Sequence, residues 1–172
     1  AIARIAHMDA PVVGAINGMA AGAGLSLAAA CDYTIAGQAT RFTLAYTAAG
    51  LSPDGSSTWY LPRLIGLRRT RELMLTNRIL DANEAREIGI VDKVVADDSL
   101  MATAIKQAEI FSKGPTKAYG ATKRLLQETW NSGLETQMDR ETRIISNLAK
   151  TYDAQEGIDA FIKKREPTFT GK

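Results

Sequence analysis

The first clear pattern along the chain is an apolar run, Pro11-Val12-Val13-Gly14-Ala15-Ile16, closed by Asn17-Gly18. A short run of this kind, without polar alternation, predicts a strand buried on both faces. It begins almost at once, with no hydrophobic partner strand before it. Met19-Ala20-Ala21-Gly22-Ala23-Gly24 reads as a tight turn of small residues. Leu25-Ser26-Leu27-Ala28-Ala29-Ala30-Cys31 then predicts a short buried helix, since alanine and leucine are strong helix formers. Residues 32–36 predict a second short strand, and residues 42–53 read as a loop. A helix starting at Asp54 should be ended by Gly66, with another short one over 67–75. Asp81 and Glu84 have the spacing of a capping box at the next helix start. Residues 90–95 predict a brief strand, and four amphipathic helices follow near 98–112, 115–130, 133–150 and 154–165. The pattern therefore divides into a strand-rich part, 1–97, and a helical part, 98–172.

Composition narrows the functions available. The 172 residues suffice for one domain with a real core. They are 45% hydrophobic and 23% charged, and the 21 basic and 19 acidic residues are interleaved rather than blocked. Neither nucleic acid nor a membrane surface is expected as a partner. No apolar run is long enough to span a bilayer, and the first residues lack a charged-then-apolar leader layout. The single cysteine, Cys31, leaves no internal disulfide framework and fits a reducing compartment, so a cytoplasmic location is expected.

Generic motifs exclude more than they assign. Gly18, Gly22 and Gly24 miss the dinucleotide spacing, and no phosphate-loop Lys-Ser/Thr pair exists. One histidine, His7, and one cysteine rule out a His/Cys metal cluster, so no metal is expected. The glycine-rich turn has two readings: unpaired N–H groups at a helix start that suit an oxyanion, or close strand–helix packing. Asp54, followed by Gly55-Ser56-Ser57, is likewise open on local pattern between a helix N-cap and a functional carboxylate.

Order and spacing add a resemblance. Residues 11–24, then Cys31-Asp32-Tyr33, Ala36-Gly37 and Phe42, then Gly50-Leu51-Ser52-Pro53-Asp54 through Thr58, resemble the crotonase (enoyl-CoA hydratase/isomerase) superfamily. Leu61-Pro62-Arg63, Gly66, Gly89-Ile90-Val91, Glu156-Gly157, Ala160-Phe161 and Lys164-Arg165 extend the match along essentially the whole chain. The fold implied is α/β: a spiral of ββα turns, here lacking its N-terminal portion, followed by a helical trimerisation region. The partners implied are an acyl-CoA thioester and further copies of the chain, as a homotrimer or hexamer. No separate cofactor is implied, coenzyme A being part of the substrate.

The resemblance also assigns roles. One oxyanion-hole N–H falls on Ala23, and Ala21 and Gly22 of the same turn are expected at the substrate. The family's hydratases carry two glutamates; the matching positions here are Ser26 and Tyr46, and neither supplies a carboxylate. Asp54 falls where several relatives keep a working aspartate, and the local text is most similar to phenylacetyl-CoA isomerase types. The expected activity is an isomerase that moves a proton or double bond through an oxyanion-stabilised enolate with one base, Asp54. The alternatives are a dehalogenase or thioester hydrolase using Asp54 as nucleophile, a hydratase-like lyase, and a non-catalytic assembly subunit. Phe42, Tyr46 and Trp59 are expected as aromatic walls around the acyl group. Phe161 and Lys164 are expected at the CoA of an adjoining subunit.

Overall fold

Two three-stranded sheets organise the first part of the chain. In the computed structural model, which describes residues 1–172, β1 (Val13–Ile16) pairs in parallel with β3 (Tyr33–Gly37), in the register Val13 to Tyr33 and Ile16 to Ala36. β3 pairs in parallel with β6 (Lys93–Val95), giving the sheet order β1-β3-β6. A second sheet, β2-β4-β5, joins β2 (Met19–Ala21) in parallel to β4 (Arg41–Thr43), and β4 antiparallel to β5 (Leu80–Asp81). The chain changes sheet at Gly18, whose φ of 69° is a left-handed conformation that a side chain would disfavour. The result is a repeated strand–strand–helix turn: β1, β2 and α2 (Ala23–Ala29), then β3, β4 and α3 (Ser57–Thr76).

Several sequence readings are corrected here. Met19 to Ala21 is a strand rather than part of a turn, and β4 and β5 occupy stretches that carry no visible period. A first helix, α1 (Ile2–His7), buries no residue and gave no signal. Gly66 does break α3, with φ 79° and ψ 153° inside an otherwise continuous helical run. Asp81 accepts a 2.9 Å bond from the Glu84 N–H, so the capping reading holds at the start of α4 (Ala82–Glu87).

The core of this part packs Leu25, Phe42, Leu44, Leu61, Leu73 and Leu80 together, with small residues such as Ala36 and Ala85 closing the gaps. Burying one such large side chain is worth about 1.5–3 kcal/mol. Thr40 and Thr34 tie loops to strands from inside: Thr40 Oγ1 donates to Ile16 O at 2.9 Å, and Thr34 Oγ1 to Ile90 O at 3.1 Å.

The compact units are Ala1–Ile5 with Val12–Gln107, and Ala6–Pro11 with Ala108–Lys172. The boundary expected at 97/98 thus falls later, inside α5 (Leu100–Ser112). The second unit contains α6 (Thr116–Glu128), α7 (Leu134–Leu148) and α8 (Tyr152–Ile162), close to the predicted spans. In this unit Gln127 Nε2 donates to Ala6 O at 2.7 Å, and Arg124 pairs with Asp9. Asp153, at the start of α8, is buried and accepts bonds from the Thr170 and Gly171 N–H groups at 2.7 and 2.8 Å, holding the C-terminal tail. No helix is long and apolar enough to cross a membrane.

Candidate active site

The glycine-rich turn leads directly into α2. Gly22 sits at φ 51° and donates its N–H to Thr43 O at 3.0 Å. The first return bond of the helix is Ser26 N–H to Gly22 O at 3.1 Å. The N–H groups of Ala23, Gly24 and Leu25 therefore have no acceptor within the helix, as geometry requires at any helix start. A Cβ built on Gly24 would meet nothing within 4 Å, so tight strand–helix packing is not what keeps glycine there. At Gly22 the neighbours are close: a Cβ would lie 3.4 Å from Tyr46 Cζ and 3.5 Å from Leu44 O.

Onto this turn fold the two segments that the resemblance singled out. Tyr46 follows β4, and its hydroxyl donates to Asp54 Oδ1 at 2.6 Å. Ser26, wholly buried, donates to Gly22 O at 3.3 Å and reaches Asp54 O at 3.4 Å. Ser57 adds bonds to the same carbonyl from its N–H at 3.3 Å and its Oγ at 3.2 Å. The turn at Gly55, φ 60°, packs on the Ser26 side chain, where a Cβ would come within 3.0 Å. Ser26, Tyr46 and Asp54, separated in sequence, thus meet in one place.

Electrostatics at this cluster favour a donating phenol. Burial pushes Tyr46 above its ordinary value; the hydrogen bond to the Asp54 carboxylate and that group's charge add to the effect, and Ser26 opposes it. The phenol keeps its proton at neutral pH and serves as donor to an acceptor-only carboxylate.

The remaining expected residues are placed less evenly. Asp54 is not a helix N-cap: that position belongs to Ser56, in left-handed conformation and without a side-chain cap bond. Phe42 is not a pocket wall, because β4 turns it inward to 0% exposure in the core. Trp59 carries the Arg63 guanidinium over its ring at 4.0 Å and stacks edge-on with Tyr60 at 4.7 Å. Ala21 and Ala23 are exposed beside the turn. Phe161 is 84% exposed and lines a hollow of about 340 Å³ with Leu148, Ile158 and Phe169, in the helical unit. Lys164 ends the run after α8 with φ 53° and is not among the residues lining that hollow. Sequence reasoning missed Ser26 and Tyr46 as partners of Asp54, treating them only as lost glutamates and a wall. No cluster of three or more His, Cys, Asp or Glu is positioned to hold a metal ion.

Comparison with known proteins gives the family. The family model described as enoyl-CoA hydratase/isomerase matches residues 1–172. The chain is 38% identical over 171 residues to 1,2-epoxyphenylacetyl-CoA isomerase of Escherichia coli K12, covering 99% of this chain and 65% of that protein. It is 37% identical over 162 residues to a probable enoyl-CoA hydratase of Rhodobacter capsulatus, covering 94% of this chain and 63% of that one. A crystal structure of a putative enoyl-CoA hydratase/isomerase from Mycobacterium abscessus superposes with a TM-score of 0.95 at 35% identity, covering 99% of this chain and 66% of its own. Fold and sequence together place the chain in a superfamily of α/β spiral proteins. It belongs to the enoyl-CoA hydratase/isomerase family, and it spans just under two thirds of the length of these curated relatives.

Proposed function

We propose that the whole protein is an acyl-CoA isomerase in which Asp54 removes a proton from one carbon of a thioester-bound acyl group and returns it to another. The observation that carries this reading is the convergence of Ser26, Tyr46 and Asp54, with Asp54 the single carboxylate among them. A hydratase needs one group to activate water while another protonates carbon; a proton shift needs one base used twice. The thioester oxygen accepts from the Ala23 N–H, which spreads the enolate charge onto a fixed donor. Ala21, Gly22, Tyr46 and Trp59 border the acyl group. Phe161 and Lys164 meet the CoA of a neighbouring copy, and the apolar stripe of α7 and α8 joins copies into a trimer or hexamer. The names of the relatives support the acyl-CoA class while differing on the reaction, isomerase in one and hydratase in another.

Asp54→Asn in the whole protein tests the base. Exchange of the phenylacetyl-CoA α-protons with D2O, followed by NMR, should fall by at least about 100-fold, the usual scale for a lost general base. Binding of the thioester should persist. Near-wild-type exchange would remove Asp54 from the chemistry, and a covalent acyl or aryl adduct on Asp54 found by mass spectrometry would make it a nucleophile instead.

A further inference from the structure

The loop that carries Tyr46 and Asp54 is held in unusual backbone. Ala45, immediately before Tyr46, has φ 55°, and Ser56, just past Asp54-Gly55, has φ 66°. Left-handed conformations are disfavoured for residues with a side chain, and they persist where the surroundings over-determine them. Here the surroundings are visible. The Tyr46 carbonyl accepts from the Ala49 and Leu51 N–H groups, both at 3.0 Å, and the Asp54 carbonyl is met by Ser26 and Ser57. Between these fixed ends the phenol ring lies against Gly22, and its hydroxyl ends on Asp54 Oδ1 at 2.6 Å.

We propose that Tyr46 is a positioning residue for Asp54: its hydroxyl holds Oδ1, so that Oδ2 is the oxygen that exchanges a proton with substrate, while its ring fixes the spacing from that carboxylate to the turn bearing the Ala23 N–H. This rests on the isomerase reading and adds to it a division of labour between the two carboxylate oxygens. A carboxylate free to swing offers its lone pairs in many directions; one pinned at a single oxygen keeps the other in a narrow range of approach. In the proton shift, Oδ2 takes the α-proton, the carbanion charge delocalises onto the thioester oxygen, and Oδ2 then returns the proton to another carbon as the thioester carbonyl re-forms. Tyr46 keeps its own proton throughout. Ser26 braces the same two segments from beneath, through Gly22 O and Asp54 O.

The test uses the whole protein and two readouts. The first needs no turnover. In Asp54→Asn the absorbance titration of the Tyr46 phenol, identified by its loss in Tyr46→Phe, should move to lower pH, because a carboxylate acceptor and its charge have gone. The second is isomerisation of vinylacetyl-CoA to its conjugated isomer. Tyr46→Phe should lower kcat by roughly 10-fold with KM changed less than about 2-fold, since the loss is one of orientation and not of substrate affinity. Fluorotyrosine placed at position 46 keeps the shape and alters the donor, so a change in kcat with its acidity supports the proposal even where Tyr46→Phe folds poorly. An unmoved phenol titration in Asp54→Asn overturns the pairing. Unchanged kcat in both Tyr46→Phe and the fluorotyrosine protein, alongside an inactive Asp54→Asn, overturns the positioning role while leaving the base in place. An Asp54→Asn protein that keeps near-wild-type isomerisation removes Asp54 as the base, and a parent protein that leaves vinylacetyl-CoA unchanged sinks the isomerase reading instead.

Discussion

The sheet-bearing unit and the helical unit solve the problem of apolar burial differently. In the first, Leu25, Phe42, Leu44, Leu61 and Leu80 are each at most 1% exposed. In the second, α7 buries no residue at all, and Leu134, Ile145 and Ile162 stand 70%, 67% and 70% exposed. The difference teaches that local periodicity and self-sufficiency are separate properties. α7 has as clear an amphipathic pattern as any element of the chain, yet α6 covers its stripe only in part: Ile144 and Leu148 are half-buried while Leu134, Met138 and Ile145 stay exposed. The first unit is a packed interior that also carries the proposed site. The second leaves apolar side chains exposed, and subunit assembly through them forms part of the proposal.

Three experiments break or sharpen this contrast, beginning with the largest effect. Phe42→Ala should cost about 3–5 kcal/mol by denaturant unfolding, the range for removing a fully buried aromatic ring. A cost below about 1 kcal/mol would mean that the interior described around Phe42 relaxes freely, against close packing. Next, Ile145→Glu should change unfolding by no more than about 0.5 kcal/mol measured at a dilution where copies are apart, as expected for an exposed position. Sedimentation of the same variant at higher concentration should show smaller species than the parent protein. Identical sedimentation would detach the α7 stripe from assembly.

The smallest effect concerns the tail. Arg165 and the Thr168 N–H hold the Glu156 carboxyl down to about 2, below its ordinary 4.5. A depressed carboxyl stabilises the folded arrangement fully above its unfolded value, and that contribution is lost as pH falls through the folded one. Protection of the Thr168 amide, measured relative to its intrinsic exchange rate, should therefore be high at about pH 6 and fall progressively between about pH 4.5 and pH 2. Glu156→Gln should abolish that extra dependence. A parent protein with no such dependence would break the link between Glu156 and the tail.

Legibility in the sequence followed length and local signal. The helices α5 to α8 were readable because each spans several turns with one apolar face, and Gly66 announced its break because few other residues adopt its φ of 79°. β2, β4 and β5 were not, since two or three residues carry no period and their pairing partners lie far off in sequence. Missing β4 had a direct consequence at the site. Alternation along a strand places Phe42 inward between Arg41 and Thr43, so a residue taken for a pocket wall is core. Ser26 and Asp54 were legible as positions through family resemblance; their meeting with Tyr46 depends on Ala45, Gly55 and Ser56 in left-handed backbone, and only glycine advertises that conformation in sequence.

The pairing of Ile35 with Lys93 encloses everything from β4 to α4, including Tyr46 and Asp54, in one closed loop of chain. Closure entropy rises only with the logarithm of loop length, about 0.6 kcal/mol for each doubling. A few residues inserted or removed between β4 and α3 therefore barely alter the cost of closing β3 onto β6. They would shift the aspartate by ångströms, and reactivity responds to such shifts far more steeply than folding does. The topology that secures the sheet thus leaves the placement of Asp54 to the loop it encloses.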